Sequence, residues 1–261
     1  MAGELIVKRD GYAAWIVFSN VAKHNAVSLG MWRALPDAVR TLDADRDVRL
    51  IVVTGDGDKA FISGADISEF AAQRGDTDAR AEYNAAVEVG YRTLAATLTP
   101  TLAAIRGICF GGGVGLALAC DMRLAADDAR FCLPAARLGL GYSYAGIKRL
   151  ADVVGPAYAA EIMATARTFS AGEALQMRLV NRVAPAASLD AAVAETIGQV
   201  AANAPLTVRA AMKAIDEALK PSPERDLAEV QAMVEACFAS DDYKEGRQAF
   251  MEKRKPAFRG R

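Results

Sequence analysis

The hydrophobic and polar positions of this chain switch repeatedly between a two-residue and a helical period. Residues 4–9 and 12–19 read as strands around Asp10-Gly11, a hairpin signal. Ser28 stands as an N-cap before a helical pattern that runs to about residue 44. Pro36 inside that pattern predicts a kink or a late effective start. Residues 50–54 form a short continuous apolar run, the pattern of a strand buried on both faces. Asp66 and Glu69 have capping-box spacing and predict a short helix over 66–72, with a loop at Gly75. Helical spacing predicts a long helix over 79–98. Residues 101–106 read as a strand and 113–119 as a helix, and 121–126 and 131–133 as short strands. After Gly155-Pro156 the pattern is nearly all helical, apart from a short strand at 181–184. The class is α/β: two strands then a helix, repeated, with a helical tail.

Composition narrows the picture. A chain of 261 residues with 52% hydrophobic content can bury a large core, as one domain or one domain with an appendage. The net charge is −1 and no polybasic block occurs, so no nucleic-acid partner is expected. The longest apolar run, 108–120, is interrupted by glycines and is shorter than the ~20 residues that span a bilayer. The N-terminal stretch lacks an apolar signal core, so a soluble cytoplasmic protein with no membrane association is expected. Four cysteines at 109, 120, 132 and 237 and a lone histidine, His24, are too few ligands for a Cys/His metal site. Cys120 reads as a small core hydrophobe.

Two glycine turns carry the candidate chemistry. Gly111-Gly112-Gly113 lies between a strand-like and a helix-like stretch, and Phe61-Ile-Ser-Gly-Ala-Asp-Ile-Ser-Glu-Phe70 follows a buried strand. Glycine permits positive φ and close approach of backbone to a ligand, and a helix N-terminus offers unpaired N–H groups. Two such turns can aim two N–H groups at one oxygen.

The pair resembles the turns of the crotonase superfamily, the enoyl-CoA hydratase/isomerase family. Further segments match in order: Asn20-Val-Ala-Lys-His-Asn-Ala-Val-Ser28, Ala117-Leu-Ala-Cys-Asp121, Arg149-Leu150, Phe169-Ser-Ala-Gly-Glu-Ala-Leu175 and Leu179-Val-Asn-Arg-Val183. The resemblance implies a spiral of β-β-α repeats over residues 1–195 and a C-terminal helical oligomerisation region over 196–261. It also implies a trimer or a dimer of trimers, in which Lys253, Lys255 or Phe258 reaches a neighbour or the CoA. The substrate is an acyl-CoA thioester, with coenzyme A entering as part of the substrate and no tightly bound cofactor.

The same resemblance assigns the oxyanion donors to the backbone N–H groups of Ala65 and Gly112. It places the CoA against Lys23, His24, Ala26, Ser63, Asp66 and Ile67, with His24 at the nucleotide end rather than in catalysis. Two glutamates serve hydration in this family. Their positions here are Gly115 and Ala135, neither of which can transfer a proton. The decarboxylase branch of the family has a tyrosine that aligns with Tyr142, although this chain departs from that branch at Gly115 and Ala65. Tyr142 is therefore the expected side-chain participant. Tyr144, Ser143, Glu69 and Glu88 are further candidates, with Ser143 read as a turn residue and Asp66 as a helix cap. A lyase-like, decarboxylase-like or hydrolase-like reaction is expected in place of hydration, the alternative being a non-catalytic acyl-CoA-binding homologue. A Ser-His-Asp hydrolase is disfavoured by a single, early histidine.

Overall fold

The first hairpin forms where the alternation places it. The computed structural model of the chain describes residues 3–66 and 77–261. In it β1 (Glu4–Asp10) pairs antiparallel with β2 (Ala13–Ser19), and Gly11 at φ +56° makes the turn. β1 is largely exposed at the sheet edge, whereas β2 is largely buried. The sheet then continues with parallel strands β3 (Leu50–Gly55), β5 (Thr101–Ile105), β7 (Met122–Ala126) and β10 (Arg182–Ala184). A second sheet takes β4 (Ala60–Ile62), β6 (Ile108–Phe110) and β8 (Arg130–Cys132) in parallel, and β9 (Phe169–Ser170) antiparallel.

Each pass of the chain thus gives one strand to each sheet and then a helix. β5 and β6 are followed by α3 (Gly112–Ala119), and β7 and β8 by α4 (Tyr144–Thr165). This is the β-β-α spiral expected from the sequence. The central strands read as continuous apolar runs because both their faces are covered. Ile51, Val53, Ala103, Ile105 and Ala125 face the main core, which Trp32, Phe18, Phe61 and Phe131 fill. Leu50, Val52, Leu102, Ala104 and Leu124 face the opposite way, against Leu189 and Val193 of α6 (Leu189–Ala201).

Helix α1 (Leu29–Ala44) starts at its Ser28 cap, whose side chain accepts from Met31 N–H at 3.2 Å, so Pro36 does not delay it. A mid-helix proline costs about 3 kcal/mol. Met31, Trp32, Leu35 and Val39 are buried on this helix at about 1.5–3 kcal/mol each, which outweighs that cost. The helical stretch around Gly155-Pro156 begins earlier than expected, at Tyr144, and Gly155 (φ +79°, ψ 162°) breaks it midway. The helix expected over 66–72 falls, beyond Asp66, outside the described residues. The long helix α2 spans Thr77–Ala95.

The tail comprises α5 (Ala171–Gln176), α7 (Pro205–Leu219), α8 (Leu227–Ala239) and α9 (Asp241–Glu252), together with α6. α8 has no buried residue, and Leu227, Phe238, Phe250 and Met251 are exposed on this part of the chain. Lys253 and Lys255 are exposed as well. Phe258 is held to its own chain, its carbonyl accepting from Arg49 Nη2 at 2.7 Å. Among the described residues no helix is long and apolar enough to cross a membrane.

Candidate active site

The first turn follows β4. Val27 N–H donates to Gly64 O at 2.8 Å and Asp66 N–H donates to Val27 O at 3.1 Å. A parallel pairing in which residues 64 and 66 bond Val27 turns the N–H of Ala65 to the other side. That N–H has no acceptor among the described residues. Gly64, at φ +122°, lies in the region that only glycine enters readily.

The second turn follows β6. Gly111 adopts φ +52°, ψ −115°, its N–H donates to Cys132 O at 2.8 Å, and its carbonyl accepts from Val114 and Gly115. Gly112 is the first residue of α3, and its N–H is one of the orphan donors of a helix start. It too has no acceptor among the described residues. The two turns adjoin: a Cβ added at Gly64 would lie 3.7 Å from Phe110 O, and one at Gly111 would lie 3.8 Å from Gly64 Cα. A Cβ at Gly113 would collide with the Ile62 carbonyl oxygen. Each free N–H therefore follows a positive-φ glycine, and the two glycines are close enough that a side chain on Gly111 would reach Gly64. Ala65 and Gly112 are half-buried, shielded yet reachable.

The residues expected to hold CoA converge beside the first turn. Ser63 N–H donates to His24 O at 3.1 Å, and Ser63 Oγ donates to Lys23 O at 3.0 Å. Lys23 Nζ reaches the buried Asp66 carboxylate at 2.7 Å. Ala26 is buried, and His24 is exposed in a left-handed conformation (φ +51°). Ile67 lies outside the described residues. Asn25, quoted in the sequence motif without a role, is the brace: its amide donates to Asp56 O at 2.9 Å and Ala60 O at 2.8 Å.

An aromatic rack supports both turns, and sequence reasoning missed it. Tyr83 and Tyr91 stand eight residues apart on α2. The Tyr83 hydroxyl donates to Val27 O at 3.2 Å, bracing the first turn. The Tyr91 hydroxyl donates to Gly112 O at 2.8 Å, bracing the second. Trp32 joins them, donating from Nε1 to Tyr83 Oη at 2.9 Å and meeting the Tyr91 ring edge-on at 5.1 Å. The available signal was the aromatic pair at a spacing that returns to one helix face.

Tyr91 also explains Gly115. A Cβ at Gly115 would lie 2.5 Å from Tyr91 Oη and 2.7 Å from Cζ. The space beside the second donor is thus filled by an uncharged hydroxyl, which burial drives well above the ordinary tyrosine range. Ala135, the other position to which the resemblance assigns a glutamate, is buried in a short 3-10 turn, Pro134–Leu138.

Around this core lie Tyr142, Arg149 and Glu88. Tyr142 packs partly buried against the main core, and burial pushes its hydroxyl up to about 12, with Arg149 opposing. Arg149 Cζ lies 5.6 Å from the Tyr91 ring centroid. Glu88, half-buried one turn before Tyr91 on α2, acts on the same hydroxyl. Ser143 is the N-cap of α4, accepting from Gly146 N–H at 3.1 Å, which is the turn role expected of it. Tyr144 is 81% exposed and projects into solvent rather than toward the rack. Glu69 is outside the described residues. No cluster of three metal-binding side chains occurs among the described residues.

Residues 10–261 match the family model described as enoyl-CoA hydratase/isomerase. A relative named crotonyl-CoA hydratase, from Syntrophomonas wolfei, is 34% identical over 254 residues, 97% of each chain. The crystal structure of an enoyl-CoA hydratase/carnithine racemase from Magnetospirillum magneticum superposes with a TM-score of 0.91 at 36% identity, over 98% of this chain and 96% of that one. An enoyl-CoA hydratase structure from Bacillus anthracis gives 0.89 at 30% identity, over 98% and 99%. The chain belongs to the enoyl-CoA hydratase/isomerase family and has the crotonase-type α/β fold.

Proposed function

We propose that this family member binds an acyl-CoA thioester and stabilises its enolate between the N–H groups of Ala65 and Gly112, without the glutamate pair that hydration uses. The observation that carries this reading is the pairing of two acceptor-free N–H groups on adjoining glycine turns with a neutral Tyr91 where a carboxylate would stand. As charge grows on the thioester oxygen, both donors strengthen, and the dipole of α3 adds to Gly112. Lyase chemistry of the decarboxylating kind suits such a site. The carbon–carboxylate bond breaks, its electron pair passes into the α-carbon and the carbonyl, and CO2 leaves. Tyr142, neutral at pH 7, then gives its proton to the α-carbon and is reprotonated by water. Hydrolase-like cleavage of the thioester would draw on the same donors.

Lys23, His24, Ala26, Ser63, Asp66 and Ile67 form the CoA contact in this reading. Residues 1–195 carry the site, and residues 196–261 drive assembly into a trimer or a dimer of trimers, for which the exposed apolar side chains of α8 and α9 supply a surface. Four free cysteines fit a reducing, cytoplasmic setting. A second reading, a non-catalytic acyl-CoA-binding protein, is favoured by the same absence of carboxylates at Gly115 and Ala135.

Mass spectrometry of the protein incubated with crotonyl-CoA, methylmalonyl-CoA and longer enoyl-CoAs separates these readings. CO2 loss or thioester cleavage without hydration of crotonyl-CoA is the expected result. Binding with every thioester intact would leave the non-catalytic reading, and rapid hydration would overturn the proposal.

A further inference from the structure

The two donor turns are joined by a chain of side-chain contacts. Val27 organises the first turn, its N–H donating to Gly64 O at 2.8 Å and its carbonyl accepting from Asp66 N–H at 3.1 Å. The same carbonyl takes a second bond, from the Tyr83 hydroxyl at 3.2 Å. Tyr83 Oη in turn accepts from Trp32 Nε1 at 2.9 Å. Trp32 meets the Tyr91 ring at 5.1 Å with an interplanar angle of 85°, and the Tyr91 hydroxyl reaches Gly112 O at 2.8 Å. Three side chains on α1 and α2 thus connect Val27 to Gly112 without following the backbone between them.

Each link is buried and directional. Trp32, Tyr83 and Tyr91 are 2%, 7% and 8% exposed. A buried hydroxyl or indole N–H is costly unless bonded, and each of the three places its single donor on the next member or on a turn's backbone. The edge-on meeting of Trp32 and Tyr91 is an arrangement that aromatic pairs prefer. Neighbouring backbone leaves little slack: a Cβ at Gly90 would lie 3.1 Å from the Trp32 ring, and one at Gly115 would lie 2.5 Å from Tyr91 Oη. Trp32 is also fixed relative to Val27, because Ser28 caps α1 and its carbonyl accepts from Trp32 N–H at 3.1 Å. Filling the core needs only rings, which phenylalanine supplies. The two hydroxyls add a bond to a backbone carbonyl at each turn. An oxyanion hole works only when its donors lie at hydrogen-bond distance from one oxygen, which calls for placement within about 0.5 Å. Glycine turns are the most permissive backbone from which to build one.

We propose that Trp32, Tyr83 and Tyr91 are positioning residues of the oxyanion hole, fixing the separation of the Ala65 and Gly112 N–H groups by cross-linking the turns that carry them. The inference rests on the acyl-CoA reading above and deepens it. The three side chains act through Val27 and Gly112 and contribute no donor to the substrate. Cutting the chain at any link therefore loosens the hole without emptying the acyl-CoA site.

The experiment compares Tyr83→Phe, Tyr91→Phe and the double variant with the wild-type protein. Each change removes a hydroxyl and keeps the ring. Ile51→Val, a truncation of a buried β3 residue outside the rack, is the control for lost stability alone. The first readout is the infrared carbonyl band of bound butyryl-CoA labelled with ¹³C at the thioester carbon. The second is kcat and KM for any thioester that turns over. The wild-type band is expected at lower frequency than in solution. In each Tyr→Phe variant that shift should shrink and the band broaden. The rate should fall about three- to tenfold, the worth of one hydrogen bond. KM and affinity for free CoA should stay within about twofold. Ile51→Val should leave band and rate unchanged. The double variant should lose less than the product of the single losses, because a chain cut once is already broken. A wild-type shift that persists in both Tyr→Phe variants would overturn the inference and leave the acyl-CoA reading standing. So would equal changes in Ile51→Val, or single losses that multiply in the double variant. A bound thioester with an unshifted band in the wild-type protein would overturn both.

Discussion

The backbone half and the side-chain half of this site follow different rules. The backbone half consists of two adjoining turns whose donors depend on Gly64 and Gly111 and on the pairing of Val27 with residues 64–66. No side chain supplies a donor in it. The side-chain half depends on tertiary packing. At the two positions where the resemblance places carboxylates stand Gly115 and Ala135, and the space beside Gly115 is filled by Tyr91, held by Trp32 and Gly112. In the proposed reading the backbone half stabilises the enolate and the side-chain half decides how protons move.

The comparison can be broken most severely at the backbone. Gly112→Pro deletes a donor while keeping a residue that a helix accepts at its first position. Loss of one such donor costs roughly 3–4 kcal/mol of transition-state stabilisation. Turnover should fall about 10²- to 10³-fold, with the thermal midpoint little changed. Full activity in this variant would remove Gly112 from the mechanism.

Tyr142→Phe tests the side-chain half. The proposal expects the rate to fall about 10²-fold with acyl-CoA affinity nearly unchanged, as steady-state kinetics alongside calorimetry would show. An unchanged kcat would exclude Tyr142 from proton transfer.

Gly115→Ala probes the exchange of volume between the halves. Its Cβ would press on Tyr91 Oη, which is not free to swing away, so a loss of about 1–3 kcal/mol of stability is expected. Combining it with Tyr91→Ala should cost less than the sum of the two, as denaturant unfolding of both single variants and the double variant would reveal. Additive effects would mean that Tyr91 does not occupy the glutamate space.

The smallest effect is spectroscopic. The Tyr142 hydroxyl is held up to about 12 by burial. Because this folded-state value exceeds the unfolded one of about 10, its contribution to stability is complete below about pH 10 and is lost as pH rises toward 12. Ultraviolet titration should therefore show Tyr142 ionising near pH 12, and the rate should be flat from about pH 6 to 9. A Tyr142 signal that titrates below pH 9 would contradict its burial.

Much of this was legible in the sequence, for stated reasons. The strands β2, β3 and β5 announce themselves because double-sided burial demands unbroken apolar runs. The donor turns announce themselves because positive φ at Gly64 and Gly111 demands glycine. The residue types at Gly115 and Ala135 are read directly from the sequence, at positions to which the resemblance assigns the glutamates. What fills the space beside Gly115 was not legible. Tyr91 lies 24 residues before Gly115, and only tertiary packing brings its hydroxyl there. The same holds for Tyr83 and Val27, and for Arg149, whose place over the Tyr91 ring depends on how α4 docks. Pro36 misled the reading because local propensity was weighed without the burial of Trp32 and Leu35.

The most direct test of the central claim is infrared difference spectroscopy of a bound acyl-CoA carrying a ¹³C label at the thioester carbonyl. The account predicts that the carbonyl stretch moves to lower frequency on binding to the wild-type protein and returns toward its solution position in Gly112→Pro. A bound thioester with an unshifted carbonyl in the wild-type protein would show that the two N–H groups do not meet that oxygen, and the assignment of the site would fail.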